Sequence, residues 1–256
     1  MELRILGCHG GETPKHRTSS FLLDERVAID AGAVTSMLTL EEQHRIETVL
    51  VSHAHLDHVR DLATMADNRC QQGGPTLVVA GIPETLAVLR QHFFNDLLWP
   101  DFSKIPTLSG GPTIQFREIL PEVPAEFSGM RVTPVLVDHT IDAAGFVIET
   151  ASGSLGYSGD TGPTERLWEK LNQQADLRGL LMEISFPDEH HRLAKASGHH
   201  TAESLERELH KLHEHRDLPI LLYHIKPVFE QQVEREVSRI RGRNLDLCRL
   251  GDQFLL

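Results

Sequence analysis

Short apolar runs bounded by turn residues alternate along this chain with longer stretches whose apolar positions recur at helical spacing. The runs ELRIL (2–6), SSFLLDERVAIDAG (19–32) and TVLVS (48–52) read as strands, with a tight turn at Asp24-Glu25. HVRDLATMADN (58–68) reads as a helix, because Val59, Leu62, Ala63 and Ala66 share one face. TLVVA (76–80) is another strand, and 82–99 a helix with Pro83 in its first turn. The Pro/Gly-rich stretch 100–112 is the best candidate for a seam between two halves. The second half repeats the mixture. Strands are expected at 113–120, 130–139, 145–150, 154–160, 177–186 and 218–224. Helices are expected at 163–175, with Leu167, Trp168, Leu171 and Ala175 on one side, at 201–215 behind an N-cap at Thr201, and at 228–240. Leu205, Leu209 and Leu212 of the second of these face the core. Within each half strands come first and helices later, so the fold class is α/β (α+β), with sheets stacked and helices outside.

Composition narrows the function. The 256 residues carry 25 basic and 37 acidic side chains, a net charge of −12, which argues against a general nucleic-acid binder. Cys8, Cys70 and Cys248 are few, odd in number and far apart, so they suggest no disulfide framework and fit a reducing compartment. The start, MELRILGCHGG, is too short in apolar residues for a signal peptide, and no run approaches the ~18 apolar residues of a membrane span. A soluble cytoplasmic protein is the expectation. Histidine is abundant, at 16 residues.

The histidines fall where strands end. His53 follows VLVS, His139 follows TPVLVD, Asp160 follows LGYSG and His224 follows ILLY. A strand end presents a polar side chain in a crevice while the strand itself stays buried. In HAHLDH, His53 and His55 are two apart and point the same way in an extended segment. Asp57 and His58 come as the chain turns into the helix. Imidazole and carboxylate without cysteine is a ligand set for zinc or another divalent first-row metal. Seven such residues exceed one site, whereas two metals sharing a bridging carboxylate use them all.

These residues resemble the HxHxDH motif and later ligands of the metallo-β-lactamase fold, over nearly the whole chain, residues 1–256 as one domain. The resemblance implies an αββα sandwich of two stacked mixed β-sheets flanked by helices. It also implies two divalent ions, zinc foremost with manganese or iron accepted. His53, His55 and His139 would hold the first, Asp57, His58 and His224 the second, and Asp160 would bridge them. The stretches HAHLDH, HFFNDLLWPDF (92–102), MEISFPDEHHRLAKASGHHT (182–201) and YHIKP (223–227) resemble the class II cyclic-nucleotide phosphodiesterases. One departure stands out: Asp61 occupies the position three residues after the motif where that family usually has Gly. The resemblance implies hydrolysis of a 3′,5′-cyclic nucleotide, cAMP or cGMP, to a nucleoside monophosphate, and a homodimer at the level of the family alone.

The residues fit that reaction independently. Phosphodiester hydrolysis needs a nucleophile, charge neutralisation and a proton for the leaving oxygen. Two metals supply the first two, with a bound water of pKa about 7 as attacking hydroxide. For the proton the candidate is His199 in SGHHT, with His200 as fallback; either residue would otherwise merely cap the helix opened by Thr201. Asp57 is a further catalytic candidate. The same stretch resembles the Glu and His element of tRNA 3′-processing nucleases, with Glu183 and His199 as the pair. Lys226 contacts phosphate or balances local acidity. Asn95, Trp99 and Asp101 line the pocket unless Trp99, a large aromatic at a helix end, belongs to the core. Asn68 reaches the pocket or caps the surface. The glycine-rich stretch 7–20 borders the site, with His9 and His16 read as surface residues rather than ligands, and His190, His191, His210, His213 and His215 as solvated. Two rival classes are a tRNA-processing or other phosphodiester nuclease, opposed by the acidic charge, and a non-catalytic metal-dependent sensing domain, opposed by the full ligand set.

Overall fold

The computed structural model describes residues 1–213, 215 and 217–256. Two seven-stranded sheets are present among them. In spatial order the first carries β14 (Gln253–Leu255), β1 (Glu2–Gly7), β2 (Ser20–Leu23), β3 (Val27–Ile29), β4 (Thr48–Leu50), β5 (Leu77–Gly81) and β6 (Ile114–Glu118). The second carries β13 (Asn244–Leu247), β12 (Pro219–Tyr223), β11 (Leu177–Glu183), β10 (Gly153–Tyr157), β9 (Ala144–Thr150), β8 (Met130–Leu136) and β7 (Ala125–Phe127). Both sheets are mixed. Strands β3 to β6 run parallel after an antiparallel start, and β10 to β13 run parallel after the antiparallel meander β7 to β10.

The alternation within each strand builds the layers. Leu50 of β4 points inward and packs with Leu3, Ile5, Phe21 and Ile29 against Phe146, Tyr157, Leu181 and Tyr223 of the facing sheet. Its neighbours Val49 and Val51 point the other way, into the helical layer. That layer holds α1 (Val34–Met37), α2 (Leu40–Arg45), α3 (Leu56–Val59), α4 (Leu62–Gln72) and α5 (Pro83–Val88). On the opposite outer face, α6 (Arg166–Asn172), α8 (Ala202–Leu209) and α9 (Glu230–Val237) cover Val147, Leu180, Met182 and Leu222. The remaining helix, α7 (His191–Ala196), lies on the chain between β11 and α8. Strands buried on both faces are why the sequence shows near-continuous apolar runs rather than polar alternation. Layers of helix, sheet, sheet and helix match the expected architecture.

Several boundaries differ. The helix expected at 58–68 is two, because the chain bends at Arg60-Asp61 between α3 and α4. The helix expected at 82–99 ends near Phe93, where the side chain of Asn95 accepts from Leu97 N and Leu98 N and folds the chain back. Helix α6 ends at Asn172, so Ala175 is exposed and off its face. Helix α8 ends at Leu209, and Glu214 of the expected longer helix lies outside the described residues. Thr201 caps α8 through a reciprocal bond with Ser204. The proposed seam at 100–112 leads into β6, which completes the first sheet.

Candidate metal centre

Five strand ends, one of them leading into the motif loop, converge at one edge of the sandwich. Because β10, β11 and β12 are parallel, their C-terminal ends lie side by side and deliver Asp160, Glu183 and His224 to one place. His53 follows β4 and is fully buried; His139 follows β8. All seven expected ligands are brought together. His55 Nδ1 lies 3.0 Å from His53 Nε2 and 3.1 Å from His139 Nε2. His224 Nε2 lies 3.4 Å from both Asp57 Oδ2 and His58 Nε2. Between the groups, Asp160 Oδ2 stands 3.2 Å from His58 Nε2, 3.1 Å from His224 Nε2 and 3.8 Å from His53 Nε2. The residues of both expected triads therefore lie together, and Asp160 stands between them.

The surroundings fit divalent ions. Asp160 Oδ1 is buried without a hydrogen-bond partner. Four imidazoles are anchored by Nδ1 and present Nε2 to the cluster: His53 on Ser52 Oγ at 3.0 Å, His58 on Asp30 Oδ2 at 2.7 Å, His139 on Gly198 O at 3.0 Å and His224 on Ser185 Oγ at 2.8 Å. Such outer partners fix ring orientation in metal sites. Burial opposes charge on His58, but Asp160 and Asp30 on either side outweigh it and hold the imidazole well above its ordinary range. Burial likewise opposes charge on Asp160, and His224 and His58 hold it well below the usual carboxylate range. The two acids thus favour positive charge at His58, whereas burial lowers His53, His55, His139 and His224.

Asp30 was missed by sequence reading. It directly follows β3 with φ +55°, fully buried, and accepts from Ser52 N, Ser52 Oγ, His58 Nδ1 and Tyr157 OH at 2.8, 2.8, 2.7 and 2.5 Å. The available signal was the one used for the other ligands: an acid directly after an apolar run, here VAI. His224 also has a positive φ, +74°, a strained value for a residue with a side chain.

His199 faces this cluster. Donor atoms of His139, Asp160 and His199 all lie within 4.8 Å of one another, and the His199 ring stacks on His224 at 5.0 Å. Its Nδ1 is 3.3 Å from Glu183 Oε1. Burial dominates both partners, pushing Glu183 up to about 7 and His199 down to about 4. Burial thus favours the neutral form of each partner. His200 is placed differently: its ring is fully buried and turned onto Ser204 Oγ at 3.0 Å, while its backbone N–H donates to Glu183. The half-buried Lys226 lies close enough that its charge, after burial, lowers both His199 and His224.

The weaker candidates have structural partners. Asn68 donates to Gln43 Oε1 and joins α4 to α2. Asn95 and Asp101 shape the turn after α5 through bonds to Leu97, Leu98 and Ser103. Trp99 is 37 % exposed rather than core, with Nε1 donating to Ala63 O of α4. Asp61 accepts from Thr35 N and Oγ1, both at 2.8 Å, and pins α1 to the start of α4. His9, expected at the surface, is buried, and the loop carrying it does border the site: Gly10 leaves no room for a Cβ against the His224 ring. His191, His210 and His213 are exposed; His190 and His215 are half-buried.

A family model for the beta-lactamase superfamily domain matches residues 25–224. The chain belongs to the beta-lactamase superfamily. Its metallo-β-lactamase fold implies divalent metals, and superfamily relatives of this kind are hydrolases. A probable 3′,5′-cyclic-nucleotide phosphodiesterase of Yersinia pestis is 26 % identical over 280 residues, covering 90 % of this chain and 79 % of its own. A ribonuclease Z of Enterococcus faecalis is 29 % identical over 164 residues, covering 59 % of this chain and 50 % of its own. The crystal structure of unliganded yeast PDE1 superposes with TM-score 0.83 at 18 % identity, covering 100 % of this chain and 99 % of its own. That likeness shows the shared fold.

Proposed function

We propose that this superfamily member is a metal-dependent phosphodiesterase that opens 3′,5′-cyclic nucleotides. The observation that carries the reading is the seven-ligand cluster with His199 and its buried partner Glu183 beside it. The phosphodiesterase name of a relative covering 90 % of the chain supports the substrate class. His53, His55 and His139 would hold one ion, Asp57, His58 and His224 the other, and Asp160 both. Two divalent ions there supply a nucleophile from water at neutral pH and neutralise phosphoryl charge. The remaining steps fall to the chain. His199 donates a proton to the ribose oxygen as the P–O bond breaks, and the Glu183 carboxyl restores it through Nδ1. Lys226 attracts the phosphodiester anion, and Asp30 and Ser185 keep His58 and His224 aimed. The net charge of −12 favours a small ligand over structured RNA. Free Cys8, Cys70 and Cys248 support placing the protein in the cytoplasm.

The deciding experiment presents purified protein with cAMP, cGMP and a precursor tRNA, each with and without chelator. Turnover of a cyclic nucleotide that chelation abolishes and metal restores is the expected result. Cleavage of the RNA with cyclic nucleotides left intact would overturn the substrate assignment in favour of a nuclease.

A further inference from the structure

A second cluster of ligand-type side chains lies outside the centre and shares none of its seven residues. His9 and His16 belong to the loop between β1 and β2, and Glu230 opens α9 on the far end of the sequence. Glu230 places one carboxylate oxygen 3.2 Å from His16 Nε2 and the other 3.7 Å from His9 Nε2. One donor atom from each of the three lies within 4.8 Å of the others. We infer that His9, His16 and Glu230 form a separate site for a zinc-type divalent cation.

Donor separation supports this. Tetrahedral ligands at 2.0–2.1 Å from zinc stand ~3.3 Å apart, and the two measured separations bracket that value. The outer partners support it independently. His16 Nδ1 is 2.5 Å from Thr13 Oγ1, and His9 Nδ1 is 3.3 Å from Arg17 O. Arg17 N also lies 3.4 Å from His9 Nδ1; in the tautomers that carry the proton on Nδ1, both Nε2 lone pairs face Glu230, as in histidine metal ligation. The rings meet edge to face at 4.6 Å, a geometry that suits two ligands on one ion. His9 is buried, so its ring is held in place beside Glu230. A neighbouring cavity of about 200 Å³, lined by His9, Glu230, Lys15 and Glu234 among others, leaves space for the ion's remaining ligand as water.

The site would act on the loop that touches the centre. Cys8 O accepts from His224 N at 2.7 Å, and Gly10 N donates to Ile225 O at 3.1 Å. An ion joining His9 and His16 to α9 clamps this loop against the strand end that carries His224. A cation-linked tie between the loop and α9 thus steadies a ligand of the centre without entering the reaction.

The test uses the full chain and zinc alone. Crystals grown with millimolar zinc should show, at the zinc edge, an anomalous peak between His9 Nε2, His16 Nε2 and Glu230. His16→Ala should remove that peak, leave any other peak in place and lower the zinc capacity of the chain by one equivalent. Because the readout is a difference of one, it holds whatever the capacity of the centre. His16→Gln repeats the measurement should the Ala variant fail to fold. No peak at that position, or unchanged capacity in a folded His16 variant, overturns the inference.

Discussion

Asp160 is the residue on which the proposed centre turns. Its Oδ2 is within 3.2 Å of a nitrogen from each of His58 and His224, and it reaches toward His53 as well. Asp160→Ala should strip both ions, while His224→Ala should weaken mainly the second; metal analysis of the purified variants measures each. Full metal content in Asp160→Ala would refute the bridging role. His199 is separable from the ligands because only its proton is in play. Expelling a ribose oxygen needs that proton and expelling nitrophenolate does not. A positioned general acid contributes ~10²–10⁴-fold in rate. His199→Ala should keep its metals and lose about that factor on a cyclic nucleotide. On bis(p-nitrophenyl) phosphate it should lose far less. Equal losses on both substrates would assign His199 to positioning instead. His200 should matter little to either rate, since its ring serves the cap of α8.

Elements meet the centre through their ends, and the ends are fixed by polar bonds rather than by packing. Asp61 shows this most directly. It binds the first turn of α1 through Thr35 and donates its own backbone N–H to Ala31 O, next to Asp30. A glycine there could not reach Thr35. Asp61→Gly should lower stability by about 1–3 kcal/mol, the cost of orphaning partly buried donors, with metal content unchanged. Urea unfolding with parallel metal analysis decides; unaltered stability would mean that water replaces the carboxylate at no cost. Gly198 serves the opposite side. Its φ of +64° places its carbonyl on His139 Nδ1, and an added Cβ would stand 3.0 Å from that ring. Gly198→Ala should therefore weaken the site holding His139, a loss that metal titration would detect.

Over the whole molecule, the buried pair Glu183 and His199 makes metal-free stability depend on pH with two opposing signs. Glu183 is raised from 4.5 to about 7, so its contribution is complete below pH 4.5 and lost as pH rises through about 7. His199 is lowered from 6.5 to about 4, so its contribution is complete above pH 6.5 and lost as pH falls through about 4. In chelated protein, the stability of the wild type relative to Glu183→Gln should fall between about pH 5 and pH 7.5. Denaturation midpoints of the two proteins across that range measure the gap. A constant gap would place the Glu183 proton elsewhere.

Much of this protein was legible in one dimension because periodicity and burial are local signals. Apolar runs such as VLV and ILLY betrayed strands buried on both faces, and a ligand immediately after each run betrayed the shared edge. The motif HAHLDH and the later His139, Asp160 and His224 could be named as a set before any distance was known. Edge strands β13 and β14 were not legible, since NLDL and QFL gain strand conformation only from neighbours already in place. The short helices α1 and α2 escaped for a similar reason, with few apolar positions to set a period. Only the tertiary structure decided which of two adjacent histidines faces the ligands. His199 and His200 are chemically alike, and their difference is one step of backbone direction after a left-handed Gly198. It alone brought Asp30 under His58 and set His9 and His16 against Glu230, because those partners are far apart in sequence and meet through packing of the two sheets and their loops.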